Sequence, residues 1–226
     1  AETQSNGGAV RDQGPGWLPA IMAGTVLLGI FGFIFCAFST WVLFQKRTEL
    51  AIRTLKGAYV TDLEQSLLEP KAKQRVLKEI ESLIAAMEGG KYEDWQSAAI
   101  MQRLQRLPVL QWGELQAVQA FIAKSGDDNS TEQLKQLSRL ERAVEDGKVT
   151  SFDFQDVLES VHRSDPGSTT GFQLIQPLTS EAVAEVVLRA KLVADRAKVP
   201  DQEFPDVDLG QIVQKEIEVA AKSGGF

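Results

Sequence analysis

Residues 140–158 read "LERAVEDGKVTSFDFQDVL", and the way this stretch turns decides the fold. Apolar residues at Leu140, Ala143 and Val144 keep helical spacing up to an Asp-Gly-Lys triplet. Gly147 lacks the Cβ that penalises a left-handed backbone, so a helix can end there. A few residues on, Thr150 or Ser151 can cap a second helix that carries Phe152, Phe154, Val157 and Leu158. The stretch therefore predicts an αα-hairpin.

The same turn occurs earlier in the chain. Residues 74–104, "QRVLKEIESLIAAMEGGKYEDWQSAAIMQRL", align without a gap to residues 131–161, "TEQLKQLSRLERAVEDGKVTSFDFQDVLESV". Identities are Leu77 with Leu134, Lys78 with Lys135, Leu83 with Leu140, Ala86 with Ala143, Glu88 with Glu145, Gly90 with Gly147, and Lys91 with Lys148. Apolar pairs occupy further core-like positions: Ile80 with Leu137, Met87 with Val144, Trp95 with Phe152, Ile100 with Val157 and Met101 with Leu158. Because the matches fall on the apolar face and on the turn, an internal repeat is expected. In the first copy Glu93 or Asp94 stands at the capping place.

"DGKVTSFDF" also resembles the second half of an EF-hand loop, with Gly147 sixth and Asp153 twelfth. Positions one and three would then be Arg142 and Val144, which offer no carboxylate oxygen to a hard cation. A helical hairpin is the preferred reading, and a degenerate EF-hand-like regulator without calcium binding is a functional alternative.

Outward from the hairpins, other helices follow. "PVLQWGELQAVQAFIAK" from Pro108 and "PLTSEAVAEVVLRAKLVADRAK" from Pro177 are candidate third helices of the two copies, with Glu114 and Glu181 early in each. The turn-rich "RSDPGSTTGFQ" absorbs the extra length of the second copy as a loop. "KSGDDNSTEQ" links the copies, with Ser130 or Thr131 as cap, and "VDLGQIVQKEIEVAAK" makes a final helix. No segment alternates convincingly as a strand.

At the front stands "WLPAIMAGTVLLGIFGFIFCAFSTWVLF", 28 uncharged residues from Trp17 to Phe44. A bilayer core needs about 20 apolar residues as helix. Trp17 and Trp41 suit the headgroup level, and Pro19 falls in a first turn where its missing N–H is not needed. A cleaved signal is the rival, with Ala37 and Ser39 as small residues, but its apolar region spans only about 7–15 residues. Ahead of the helix Arg11 is balanced by Glu2 and Asp12, whereas Lys46, Arg47, Arg53 and Lys56 follow it. The positive-inside rule then places the tail outside and the remaining chain in the cytoplasm of a cell-membrane protein. These four basic residues form a collar suited to lipid heads. Thr25, Gly29, Gly32, Cys36 and Ser39 draw a small-residue stripe suited to packing against another transmembrane helix.

The fold class expected is all-α, with boundaries as follows: a tail 1–16, a transmembrane helix 17–45, and a membrane-proximal helical stalk 46–70 carrying Leu50, Leu55, Leu63 and Leu67. Helical repeat 1 then spans 71–125, repeat 2 spans 126–198 with a loop insertion at 164–176, and a linker and helix fill 199–226.

Chemistry is scarce. Beyond Arg47 the chain carries 21 basic and 29 acidic residues, a net charge of −8 that disfavours nucleic acid. Cys36 is the only cysteine and His162 the only histidine. His162 is expected near a helix end and partly exposed, with Glu159 or Asp165 as conceivable partners. Asp127, Asp128, Asp201, Glu203, Asp206 and Asp208 fall in turns without metal-ligand spacing, and no nucleotide-binding or nucleophile motif occurs. Trp95, Trp112 and Phe152 are expected in the core. No catalytic residue, cofactor or metal is assigned. The function expected is a non-enzymatic single-pass scaffold, accessory subunit or assembly factor, with membrane, transmembrane and cytoplasmic protein partners and a second copy of itself as a further candidate. A membrane-tethered, carboxylate-dependent enzyme using Asp206 or Asp208 is the other alternative.

Overall fold

In a computed structural model, residues 17–168 and 170–223 are described; the 1–16 tail and the charges assigned to it lie outside them. The chain divides into two units, Ala1–Gln45 and Lys46–Phe226.

Among its described residues the first unit is one helix, α1 (Trp17–Gln45), continuous through the uncharged run. Its segment Ile21–Trp41 is long and apolar enough to cross a membrane, and none of that surface is buried by protein. Thr25 and Thr40 donate their hydroxyls to the carbonyls four residues back, Ile21 at 2.8 Å and Cys36 at 2.7 Å, so polar side chains are satisfied within the helix.

The second unit is mostly helical. It opens with α2 (Arg47–Thr54), a π turn (Leu55–Tyr59) and α3 (Val60–Gln65), which together make an unbroken run. Ala51, Leu55 and Leu63 are buried four and eight residues apart, with Tyr59 half-buried between them. A spacing of four outruns the 3.6-residue turn of an α-helix, so the apolar line would drift around it. The turn in which the N–H of Val60 reaches the carbonyl of Leu55 takes up that drift. The segment expected as a stalk is therefore part of the folded unit: α2 packs on α4 (Pro70–Glu88) and α5 (Asp94–Arg106). Leu55 and Leu63 are buried as the spacing suggests, but Leu50 and Leu67 are exposed, and Ala51 and Leu68 take the buried places.

The turn between α4 and α5 recurs between α7 (Ser130–Glu145) and α8 (Ser151–Leu158). Gly90 and Gly147 sit at φ 71° and 70°. Lys91 donates to the carbonyl of Ala86 and Lys148 to that of Ala143, both at 2.9 Å, while Gly90 and Gly147 donate to Met87 and Val144. Both following helices open with a capping box, at Glu93 with Gln96 and at Thr150 with Asp153, and in each the N-cap amide donates to the third-residue side chain at 2.9 Å. Glu93 and Thr150 are thus the caps, and Asp94 and Ser151 the first helical residues. Ser130 likewise is the first residue of its helix, after Asn129.

Beyond these turns the two hairpins diverge. α6 (Val109–Ser125) packs chiefly on α7 and α8, α9 (Ser180–Arg196) on α7 and α8, and α10 (Leu209–Ser223) on α4 and α5. The helices that follow the hairpins in sequence are not spatial equivalents. After α8 a short 3-10 turn (Glu159–Val161) leads to β1 (His162–Ser164), antiparallel to β2 (Phe172–Leu174), with His162 opposite Leu174. The insertion expected as a loop holds part of this small hairpin, so the all-α expectation is corrected to mostly helical with two short strands. Three residues a strand is too short for alternation to show in the sequence.

The core runs through both hairpins, from Val76, Ile80, Leu83 and Met87 on α4 to Leu137, Leu140 and Val144 on α7. Three charged or amide side chains are buried with it on α7: Gln136, Arg139 and Glu141. Arg139 donates to the carbonyls of Val199 (2.7 Å) and Pro200 (2.9 Å), to Gln136 Oε1 and to Asp195 Oδ1. It holds the end of α9, where Lys198 takes a left-handed φ of 57°.

Candidate functional site

A cleft of about 580 Å3 lies between the start of α4, the flanks of α6 and α7, and the 203–209 segment. Arg139 fixes the chain where it leaves α9. The amide of Phe204 donates to Ser138 Oγ at 3.1 Å, and the Arg142 guanidinium lies 5.9 Å from the Phe204 ring centre. Trp112, stacked 5.7 Å from Phe154, backs the cleft from the core side.

Glu141 lies in this cleft with little exposure, accepting a hydrogen bond from Gln119 Nε2 at 2.8 Å. Burial pushes its carboxyl up to about 7; the Gln119 bond opposes the shift and the nearby Asp206 carboxylate adds to it. Among the described residues, Glu141, Glu203 and Asp206 have no basic partner within ion-pair distance. Asp208 pairs with Arg75 and accepts from the amide of Gly210, whereas Asp201 pairs with Lys135 at 3.0 Å, which holds its carboxyl below the usual range. The four acids of this linker therefore separate into two with structural partners and two that face the cleft. Asp127 and Asp128 are exposed in the α6–α7 connection. No three histidine, cysteine or acidic side chains converge as metal ligands among the described residues.

Sequence reasoning missed Glu141. A signal was present: it aligns with Ile84 in the first hairpin, so an acid stands at a core-spaced position.

His162 lies elsewhere. It sits on β1, its side chain almost wholly buried, with Nε2 3.0 Å from Glu114 Oε2 and its ring stacked on Phe172 at 5.7 Å. Its expected exposure and its partners Glu159 and Asp165 are both corrected: the carboxylate comes from α6, 48 residues earlier. Nδ1 is buried without a partner, as is the Tyr59 hydroxyl, whose ionisation burial and Asp62 push upward. Glu114 borders a second hollow with Arg163, Asp165 and Ser168. Among the described residues, no serine, threonine or cysteine side chain lies within hydrogen-bond distance of the His162 ring.

Two aromatic residues expected in the core are outside it. Trp95 is 48% exposed and Phe152 74%, each the second residue of its helix; Trp112 is buried as expected. The basic collar is largely neutralised. Glu49 lies between Lys46 at 3.3 Å and Arg53 at 2.6 Å, Lys56 pairs with Glu88, and Arg47 lies near Asp94. Hydrogen bonding and charge from Lys46, then from Arg53, hold the Glu49 carboxyl below its usual value. The stripe Thr25, Gly29, Gly32, Cys36 and Ser39 lies on α1, where space beside Gly29 and Gly32 is open to 4 Å.

The chain matches no protein-family model, no curated protein and no solved structure.

Proposed function

We propose that this chain is a single-pass membrane protein whose tandem hairpin domain serves as a scaffold, accessory subunit or assembly factor of a membrane complex, without catalysis of its own. The carrying observation is the pair Trp95 and Phe152: at matching positions of two like turns, large aromatic side chains face outward instead of joining the core. Rigid aromatic anchors with low rotamer entropy are the groups that dominate protein interfaces. Lipid around α1, with the domain in the cytoplasm, is supported by the uncharged length of the helix and by the sign of the flanking charges. The stripe on α1 supplies a second packing face within the bilayer.

Purification of the full chain from its native membrane in mild detergent tests this reading. Stoichiometric membrane partners are expected, and the double change Trp95→Ala and Phe152→Ala should release them by at least tenfold while leaving helicity unchanged. A monomer that recovers no partner, or a complex indifferent to both changes, overturns it.

A further inference from the structure

Glu141 occupies a place where the first hairpin uses a hydrocarbon. The aligned Ile84 is 6% exposed and Glu141 5%, so the hairpin architecture at this position accepts an aliphatic side chain. A carboxylate there gives up water and receives one neutral hydrogen bond in return, at 2.8 Å from Gln119. Among the described residues its other oxygen has no donor, and the side chain borders the cleft. Around it, Asp206 and Glu203 from the linker and Glu69 beside α4 add negative charge. Of the cations on or beside the rim, Arg75 is engaged by Asp208 and Arg142, beside Phe204, by Glu145 and Asp146, which leaves Lys71. α6 contributes Gln116, Gln119 and the Trp112 wall, none of them charged. The cleft is acidic beyond what its own cations offset, and apolar at the back.

We infer that this cleft binds an organic monocation on an apolar stem: an Arg or Lys side chain of a partner polypeptide, its charged head against Glu141 and Asp206 and its methylenes along Phe204, Ala120 and Ala123. Such a head supplies the donors that the open Glu141 oxygen lacks, and a guanidinium fits carboxylate geometry with two parallel bonds. The inference rests on the protein-binding reading above and names the chemistry that one of its partners presents.

The test uses the full chain in detergent micelles, with glutamate carboxyl carbons labelled and the Glu141 resonance assigned through Glu141→Gln. N-acetyl-arginine methylamide is the probe, and its uncharged citrulline counterpart the control. At pH 8 the arginine probe should move the Glu141 resonance saturably and the control should not. Its apparent affinity should fall about tenfold from pH 8 to pH 6, as the carboxylate fraction falls from about nine-tenths to one-tenth. Asp206→Asn should weaken the response, which keeps a readout should the Glu141 variant misfold. Absence of a shift at pH 8 in tens of millimolar probe, or an equal response to the control, would each overturn the inference. Partner recovery is read separately: partners that stay bound while the probe does nothing count against the cleft alone, and probe binding without recoverable partners counts against the scaffold reading alone.

Discussion

A methyl group added at Gly113 would lie 2.3 Å from both the carbonyl carbon of Leu67 and the amide nitrogen of Leu68. In an exposed helix, Gly to Ala gains about 1 kcal/mol of propensity. Here backbone atoms fill the space and must move, so Gly113→Ala is expected to destabilise the domain by about 1–3 kcal/mol despite that gain. Chemical denaturation followed by far-UV circular dichroism checks it, and an unchanged midpoint would refute it. Glu141 gives a pH-dependent expectation. Its folded carboxyl titrates near 7, above the ordinary 4.5, so between these values the folded chain holds more protons than the unfolded one. The stability associated with this group is present below about pH 4.5 and is lost as pH rises through 7, by up to about 3 kcal/mol. Glu141→Gln should flatten that part of the stability–pH curve, and a wild-type curve that rises steadily from pH 5 to 8 would contradict the assignment. Neither residue is conspicuous in the sequence: Gly113 sits mid-helix where glycine looks like a weakness, and Glu141 looks like one more solvated acid in a charged helix.

Elements were more legible than residues. The glycine turns at 90 and 147, the apolar spacing of α4 and α7 and the proline start of α6 are local signals, and local chemistry built them as expected. Because the two turns share their hydrogen bonds and their φ, Gly90→Ala and Gly147→Ala should each cost about 1–2 kcal/mol and nearly the same amount. A difference above about 1 kcal/mol in thermal unfolding would show that the likeness stops at the backbone. Long-range arrangements left no such trace. α10 reaches α4 and α5 across more than a hundred residues, and Arg139 finds its carbonyl partners some 60 residues on. Arg139→Ala would leave those carbonyls and Asp195 without their donor in a largely buried place, with an expected loss of about 3 kcal/mol. Arg139→Lys, unable to serve four acceptors in a plane, should recover only part of it.

At the scale of the whole molecule, the division into an apolar helix and a helical domain is carried by composition. Twenty-eight uncharged residues stand beside a following segment, 46–226, with 52 charged ones, and no tertiary knowledge is needed to see the boundary at Gln45. The domain's outer face was less legible, because hydrophobic periodicity reports that a residue is apolar and not which side of a short helix is covered. Trp95 and Phe152 kept helical spacing and still came to the surface. If α1 is an anchor, alkaline carbonate should leave the chain in the membrane pellet, and Phe31→Asp with Phe35→Asp should move most of it to the supernatant. Release of the unmodified chain would mark α1 as something other than an anchor.

The turn at Leu55–Tyr59 acts as a phase adjuster. Removing one amino acid from it would shorten the rod by about 1.5 Å and swing everything downstream by about 100°. Leu63 would then rotate out of its socket while Ala51 stayed in its own. The extra residue allows two neighbouring surfaces of mismatched pitch to be gripped by a single shaft, so this short segment should tolerate a change of side chain far better than a change of length.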